Sequence, residues 1–389
     1  MWVFRSPEII FGEDALNYLS DIEGHKAFIV TDKPIVALGF ASMVQARLTG
    51  AGIECAVFDE VEPNPSLATV LRGAQVVRAF EPDWIIALGG GSAMDAAKAI
   101  WVMYERPDLT PEYIAPMGKL GLRQKARLIA IPTTSGTGAE TTWPMVLSDL
   151  EDHRKFSVGH PENIPDIAIV DPVFVAHLPR QITADTGMDV LVHAMEGYTS
   201  QWHNDFSDGL CLKAVQLVFD YLPRAYDNGA DDPEARQKMH NAATIAGLGF
   251  GNSMAAMAHA MGHSLGAVFP VPHGRAVGLF LPYTIEFTMC GGVPTRYGEI
   301  ARFLGLAAAD EAEGAASLVE AIRGLARHLG QPVSLGEAGI SEDMLEASLP
   351  KLVDNASNDN VLVVSPRYPS DEEVERLYRY AFDGRPVDF

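Results

Sequence analysis

Short apolar runs punctuate the first half of the chain: KAFIVT (26–31), ECAVFD (54–59), DWIIALG (83–89), RLIAIPT (127–133) and IAIVDP (167–172). Each is rich in β-branched or bulky apolar residues and is bounded by Gly, Pro or Asp, the pattern of buried strands. Between them SLATVLRGAQVVRAF and SAMDAAKAIWVMY carry apolar residues at helical spacing. Strand, helix, strand alternation requires parallel pairing through right-handed crossovers. The pattern therefore predicts an N-terminal α/β domain with a doubly wound, Rossmann-like parallel sheet. After VDPVFVAHLPRQIT the strand signals fade, and helical periodicity runs from about 182 to RLYRYAF near the end. An all-α C-terminal domain is expected. At 389 residues the chain exceeds what one hydrophobic core organises, and Pro172 and Pro179 punctuate the connection, so domains of 1–179 and 180–389 are predicted.

One part of the helical half looks unusual. No Asp, Glu, Lys or Arg occurs between Lys238 and Arg275, long enough for a membrane span. The stretch is nevertheless rich in Gly, Ala, Ser, Asn and His and poor in Leu, Ile and Val, so it reads as helices buried in protein. Within it, MAAMAHAMGHSLGAVFPVPHG carries three histidines.

Composition narrows the partners. The chain has 29 basic and 51 acidic residues, a net charge of -22, which repels phosphate backbones and anionic membrane surfaces and argues against nucleic acid. Cys55, Cys211 and Cys290 are odd in number and show no CxxC spacing, so a reducing cytosol is expected. MWVFRSPEIIFGED lacks a basic region followed by a long apolar run, so no signal peptide is expected.

Candidate chemistry begins at Gly89-Gly90-Gly91-Ser92, which runs from a predicted strand straight into a helix. Glycines let backbone amides approach an anion, and the helix offers unpaired N–H groups to a pyrophosphate. The sixth position counted from Gly89 is Met94, so the generic G-x-G-x-x-G fingerprint is unmet and a packing turn competes with the nucleotide reading. PTTSGTGAE (132–140) supplies Thr133, Thr134, Ser135 and Thr137 after another strand, suited to a second clamp at the same sheet end. Asp32 could accept from a ribose hydroxyl and repel a 2'-phosphate, favouring NAD over NADP; a helix N-cap is the competing role. The glycines of GLGFGNS (247–253) follow a helical pattern with no strand before it, so they read as helix packing.

A second constellation suits a metal. Asp189 and His193 lie at i and i+4 on one helix face, His259 and His263 repeat that spacing, and His273 follows Pro270 and Pro272. A carboxylate with several imidazoles suits a divalent first-row ion and suits calcium or magnesium poorly. Spacing alone does not choose between His259 and His263, nor between iron and zinc.

With these residues in view, the chain resembles the iron-containing (group III) alcohol dehydrogenase family nearly end to end. The resemblance rests on GGGSAMDAAKA, IPTTSGTGAE, VDP, TGMDVLVHAMEGYTS, AHAMGHSLGAVFPVPHG and Leu281-Pro282. It implies a metal, Fe(II) first and Zn(II) second, bound by Asp189, His193, His259 and His273, with His263 beside the substrate without ligating. It places cofactor contacts on Asp32, Asn64, Gly90, Gly91, Ser92, Asp95, Thr133, Thr134, Thr137 and Lys155. It implies hydride transfer between a small primary alcohol or diol, or the corresponding aldehyde, and NAD, in a homo-oligomer of two or more copies. Two departures stand out: ETTWPMV places Trp143 and Pro144 where relatives often carry Asn, and NASNDNVLVVSPRYP stretches the C-terminal motif, leaving Arg367 as a counterpart of its arginine. Trp143, Met145, Phe250 and Met254 could line a pocket or fill core. A zinc polyol dehydrogenase of the glycerol type, a maleylacetate reductase, a dehydroquinate synthase-type lyase and a passive NAD- or metal-binding protein are the alternatives.

Overall fold

The computed structural model describes residues 3–149 and 154–389, the side chains of 154–156 excepted. It divides into two compact units, Met1–His177 and Leu178–Phe389.

The apolar runs of the first unit form the centre of a parallel sheet. Its strands are β1 (Glu8–Phe11), β2 (Lys26–Val30), β3 (Glu54–Phe58), β4 (Trp84–Gly89), β5 (Arg127–Pro132) and, after a separate hairpin of β6 (Pro144–Asp149) and β7 (Arg154–Gly159), β8 (Ile167–Val170). The spatial order is β1-β8-β5-β4-β2-β3. Helices α1 (Lys33–Ala37), α2 (Phe40–Gly50), α3 (Leu67–Phe80) and α4 (Gly91–Glu105) complete the unit. Strands buried on both sides lose the alternation of a half-exposed sheet, and the core shows why. Phe28, Val30, Ile85, Ala87, Leu128 and Ala130 pack with Val70, Ala74 and Val77 of α3 and Ile100 and Trp101 of α4. Their neighbours Ala27, Ile29, Ile86, Leu88, Ile129 and Ile131 pack on the other face with Val44 and Leu48 of α2.

This topology prepares a ligand site. The order reverses between β2 and β4, and open α/β sheets bind ligands beyond the carboxyl ends of strands at such a switch point. β4 and β5 run in register from Trp84 opposite Arg127 to Gly89 opposite Pro132, so their following loops leave the sheet side by side. The β6–β7 hairpin is antiparallel and lies outside the main sheet. Helix α4 holds it: Asp95 Oδ2 accepts from Val146 N at 2.9 Å and Lys98 Nζ donates to the Thr142 carbonyl at 2.8 Å. Neither β1 nor the hairpin was among the predicted strands.

The second unit is helical: α5 (Arg180–Thr199), α6 (Asp205–Asn228), α7 (Pro233–Phe250), α8 (Met257–Val268), α9 (His273–Cys290), α10 (Tyr297–Phe303), α11 (Glu311–His328), α12 (Glu342–Ser357) and α13 (Asp371–Asp383). Side-chain caps fix many starts, with Asn204, Asp232, Asp310, Ser341 and Ser370 each accepting from the first turn. Helix α5 is buried around its whole circumference from Met188 to Thr199 and packs against α6, α7 and α9. It is a core helix, and its polar residues must find partners in the interior. The uncharged stretch is spent on α7, α8 and the start of α9; among the described residues no helix is long and apolar enough to cross a membrane. Gly249 of GLGFGNS serves packing, since a Cβ there would stand 2.5 Å from Cys211 Sγ on α6.

Candidate metal centre and nucleotide site

Four side chains from three helices of the second unit converge. Asp189 and His193 come from α5, His259 from α8, and His273 opens α9. One ligand atom from each lies within 4.8 Å of all the others. Asp189 Oδ1 is 3.3 Å from His273 Nε2, 3.5 Å from His193 Nδ1 and 3.8 Å from His259 Nε2. Ligands about 2.1 Å from a shared tetrahedral ion stand roughly 3.4 Å apart, so the spacing fits a zinc-sized or iron-sized cation.

Local packing produces this convergence. Pro270 and Pro272 stiffen the approach to α9, and a Cβ at Gly274 would overlap the Asp185 carbonyl, so only glycine lets the start of α9 lie on α5. Arg275 grips Asp185 with Nε and Nη2, both at 3.1 Å, and Gln331 Nε2 adds a bond to the same carboxylate at 2.8 Å. His273 is thereby carried to Asp189, four residues along α5.

The donor set also passes a test of chemistry. Asp189 Oδ1, His193 Nδ1 and His259 Nε2 are buried and have no hydrogen-bond partner among the described residues. An unsatisfied buried carboxylate or imidazole costs on the order of 1–3 kcal/mol or more, and a shared cation removes all three penalties together. Burial would raise the Asp189 carboxyl, but the imidazoles of His193 and His273 hold it far below the usual carboxylate range. Burial pushes His193 down to about 3, leaving it neutral, as a ligand must be. Phe250 stacks on the His193 ring with centroids 4.0 Å apart, so that side chain packs the candidate ligand, and Met145 is core at 1% exposure.

His263 stands apart from the four. Its ring stacks on His273 with centroids 5.2 Å apart, and its Nδ1 is 2.7 Å from Asp359 Oδ2. Burial lowers its pKa, opposed by Asp359. Two partners were not singled out in the sequence. Glu196 lies 2.6 Å from His259 Nδ1 and is seven positions, or two turns, beyond Asp189 on the same face of α5, a spacing that could have revealed it. Asp359 precedes a short 3-10 turn, where nothing in the sequence marks it. Arg367 donates to the carbonyls of Phe287 and Phe389 and to Glu373, tying down the C-terminus.

In the first unit the structure brings together much of the nucleotide set. Gly90 caps α4 without any side-chain bond, leaving first-turn amides for an anion. A Cβ at Gly91 would stand 2.9 Å from Thr137 Cγ2, and one at Gly90 would touch Thr134 at 3.4 Å, so the loop at Gly90–Ser92 lies against the threonine loop. Ser92 Oγ accepts from Asn64 N at 3.2 Å, and Thr133 N donates to the Gly89 carbonyl at 3.0 Å. Backbone and cradle suit a pyrophosphate. Asp32 lies two residues beyond β2 and takes the competing role: Oδ1 accepts from Ile35 N at 2.8 Å and caps α1. Asp95 turns its carboxylate to Val146 in the hairpin. Lys155 pairs opposite Ser148 on β7, but its side chain lies outside the described residues.

Comparison with known proteins agrees with both halves. Residues 6–172 match the family model for iron-containing alcohol dehydrogenase, and residues 183–382 match that for the C-terminal part of the Fe-containing alcohol dehydrogenase family. The chain is 37% identical to an NADPH-dependent butanol dehydrogenase of Clostridium saccharobutylicum, over 98% of both chains. It is 39% identical to aldehyde-alcohol dehydrogenase 2 of Entamoeba histolytica over 98% of its own length but spans only 46% of that relative. Among solved structures it superposes on an iron-containing alcohol dehydrogenase from Thermococcus thioreducens with a TM-score of 0.90, 33% identity and coverage of 99% and 100%. A sulfoacetaldehyde reductase from Bifidobacterium kashiwanohense, in complex with NAD+, gives a TM-score of 0.86 at 31% identity, covering 98% of each chain.

Proposed function

We propose for this chain, which belongs to the iron-containing alcohol dehydrogenase family, hydride transfer between a small primary alcohol or diol, or the corresponding aldehyde, and NAD. It is an enzyme of the alcohol dehydrogenase type. The observation that carries the reading is the convergence of Asp189, His193, His259 and His273, with buried donor atoms lacking any partner. A maleylacetate reductase without the complete ligand set does not suit this constellation, and a phosphorylated substrate finds no Lys or Arg between 239 and 274.

A divalent metal, Fe(II) or Zn(II), would be held by those four residues and supply a Lewis acid toward the alcohol oxygen, while the nicotinamide supplies the hydride acceptor. The protein's own groups do the rest. The amides after Gly90 and the hydroxyls of Ser92, Thr134 and Thr137 hold the phosphates and fix the nucleotide in place. His263 relays the proton: its Nδ1 is committed to Asp359, so Nε2 is the nitrogen left to exchange one. Asp359 both orients the ring and compensates the charge it gains.

The choice of nucleotide is the finer part of the proposal, since the butanol dehydrogenase relative is named for NADPH. Asp32 supports NAD, because its carboxylate just beyond β2 would oppose a 2'-phosphate. The unpaired Cys55, Cys211 and Cys290 suit a cytoplasmic location, and size-exclusion chromatography would check the expected dimer or larger assembly.

The deciding experiment incubates the purified protein with NAD or NADP and a panel of short alcohols and diols, before and after anaerobic loading with Fe(II) or Zn(II). Metal-dependent formation of reduced nicotinamide, faster with NAD, is the expected result. No turnover with any alcohol after loading would leave only a passive nucleotide- or metal-binding role.

A further inference from the structure

We propose that Glu196 is a positioning residue for metal capture: it fixes His259 in the tautomer that presents Nε2 to the ion, and it anchors the first turn of the helix carrying that ligand. This rests on the metal reading above and goes beyond it, because Glu196 lies outside the four-donor set.

Glu196 is 5% exposed. Its Oε1 accepts from Ala258 N at 2.6 Å, and its Oε2 accepts from Ala256 N at 2.8 Å while lying 2.6 Å from His259 Nδ1. Backbone amides can only donate, so the carboxylate acts as acceptor throughout and the proton of His259 belongs on Nδ1. In the neutral ring that a metal ligand requires, Nε2 then carries a lone pair, and it faces Asp189 Oδ1, another acceptor, at 3.8 Å. Two acceptors aimed at each other in a dry interior are repulsive unless a cation, whether a proton or a metal ion, stands between them. Ala256, the N-cap of α8, has no side-chain cap of its own, so Glu196 also satisfies amides that would otherwise be orphaned. Just before this turn Met254 adopts φ 78, a conformation that costs a non-glycine residue on the order of 1 kcal/mol or more and needs surrounding contacts to hold it. Asp189, His193 and Glu196 share α5. One helix thus supplies two ligands and aims a third.

Glu196→Gln separates this role from plain packing. The amide keeps the shape but has one acceptor where three donors converge. If its NH2 replaces Oε1 it opposes Ala258 N–H; if it replaces Oε2 it opposes Ala256 N–H and forces the proton of His259 onto Nε2, into the ion's position. Titrating apo protein with Co(II) against a chromophoric chelator should show a loss of affinity of about 10- to 100-fold, with a smaller Co(II)-induced rise in Tm and an altered visible Co(II) spectrum. Glu196→Asp, which restores two acceptors at shorter reach, should recover part of the affinity. Equal Co(II) affinity in wild type and Glu196→Gln would overturn the proposal while leaving the metal centre intact, whereas a wild type that binds no Co(II) would remove both. Should the variants fail to fold, nitrogen-15 NMR of histidine-labelled wild-type apo protein decides: a proton on Nδ1 of His259 supports the proposal, and a neutral ring protonated on Nε2 alone overturns it.

Discussion

Asp359 Oδ2 lies 2.7 Å from His263 Nδ1, across 96 positions of sequence, and its other oxygen accepts from Val361 N at 3.1 Å. Burial would raise this carboxyl, yet the bond to His263 keeps it below its ordinary value. The pair resembles an acid that holds an imidazole in one tautomer while the far nitrogen works. Asp359→Ala should lower kcat by about 10- to 100-fold and leave KM and metal content near wild type. Asp359→Asn, whose carbonyl can still accept from Nδ1–H, should retain more activity. Metal loss in Asp359→Ala, measured by elemental analysis, would assign the residue to the ligand framework instead.

His259 and His263 share a helix face but not their surroundings. His259 Nε2 is buried without a partner and lies among the four donors, whereas His263 lies outside that set. His259→Ala should empty the centre, with a loss of metal affinity greater than the about 10- to 100-fold typical of outer partners. His263→Ala should bind metal normally and lose about 100-fold or more in kcat. Metal content and turnover measured on both variants check the assignment, and the reverse pattern would exchange the roles.

Asp32 caps a helix as well as being the proposed selector of the nucleotide, so the test of nucleotide preference must keep the cap. Its Oδ1 caps α1 through Ile35 N, and replacing a cap by alanine costs about 1 kcal/mol. Asp32→Ser retains a capping oxygen and removes the charge. The ratio of kcat/KM for NADP over NAD should rise by about tenfold or more, the effect of roughly 1.4 kcal/mol of relieved repulsion, with Tm nearly unchanged. An unaltered ratio would mean that Asp32 is a cap only.

The central strands were legible because each is buried on both faces, so β2, β4, β5 and β8 read as unbroken apolar runs. β1 is four residues at a sheet edge with Phe11 exposed, too short and too open to leave that signature. The β6–β7 hairpin was hidden for another reason. Its first strand begins at Pro144 and is pinned by Asp95 and Lys98 of α4, contacts no local pattern encodes. In the candidate metal centre, helical spacing exposed Asp189, His193, His259 and His263; spacing left the two histidines of α8 undecided, the family resemblance favoured His259, and the fold sets its Nε2 among the other donors. Asp359 was invisible because its partner lies 96 residues away.

Lys98 gives the fold a pH dependence with a definite sign. The side chain is fully buried, donates to the Thr142 carbonyl at 2.8 Å and reaches that of Pro144 at 3.4 Å. Burial lowers its pKa from 10.5 to about 8, with Asp95 and Glu140 opposing. Below about pH 8 the ammonium is charged in folded and unfolded chains alike, and the folded chain bears the desolvation. Between about pH 8 and 10.5 the folded chain sheds this proton while the unfolded chain keeps it, so this residue adds stability as pH rises. The full interval is worth at most about 3 kcal/mol. Lys98→Met, similar in reach, lacks the titration. Urea unfolding at neutral pH and at pH about 10 should show the stability of wild type relative to Lys98→Met moving in favour of wild type by about 2 kcal/mol. A difference that stays constant would mean that water reaches the ammonium in solution. Because Lys98 and Asp95 hold the strand beginning at Pro144 to the helix beginning at Gly91, the variant should also weaken NAD binding, measurable as a raised KM for the cofactor.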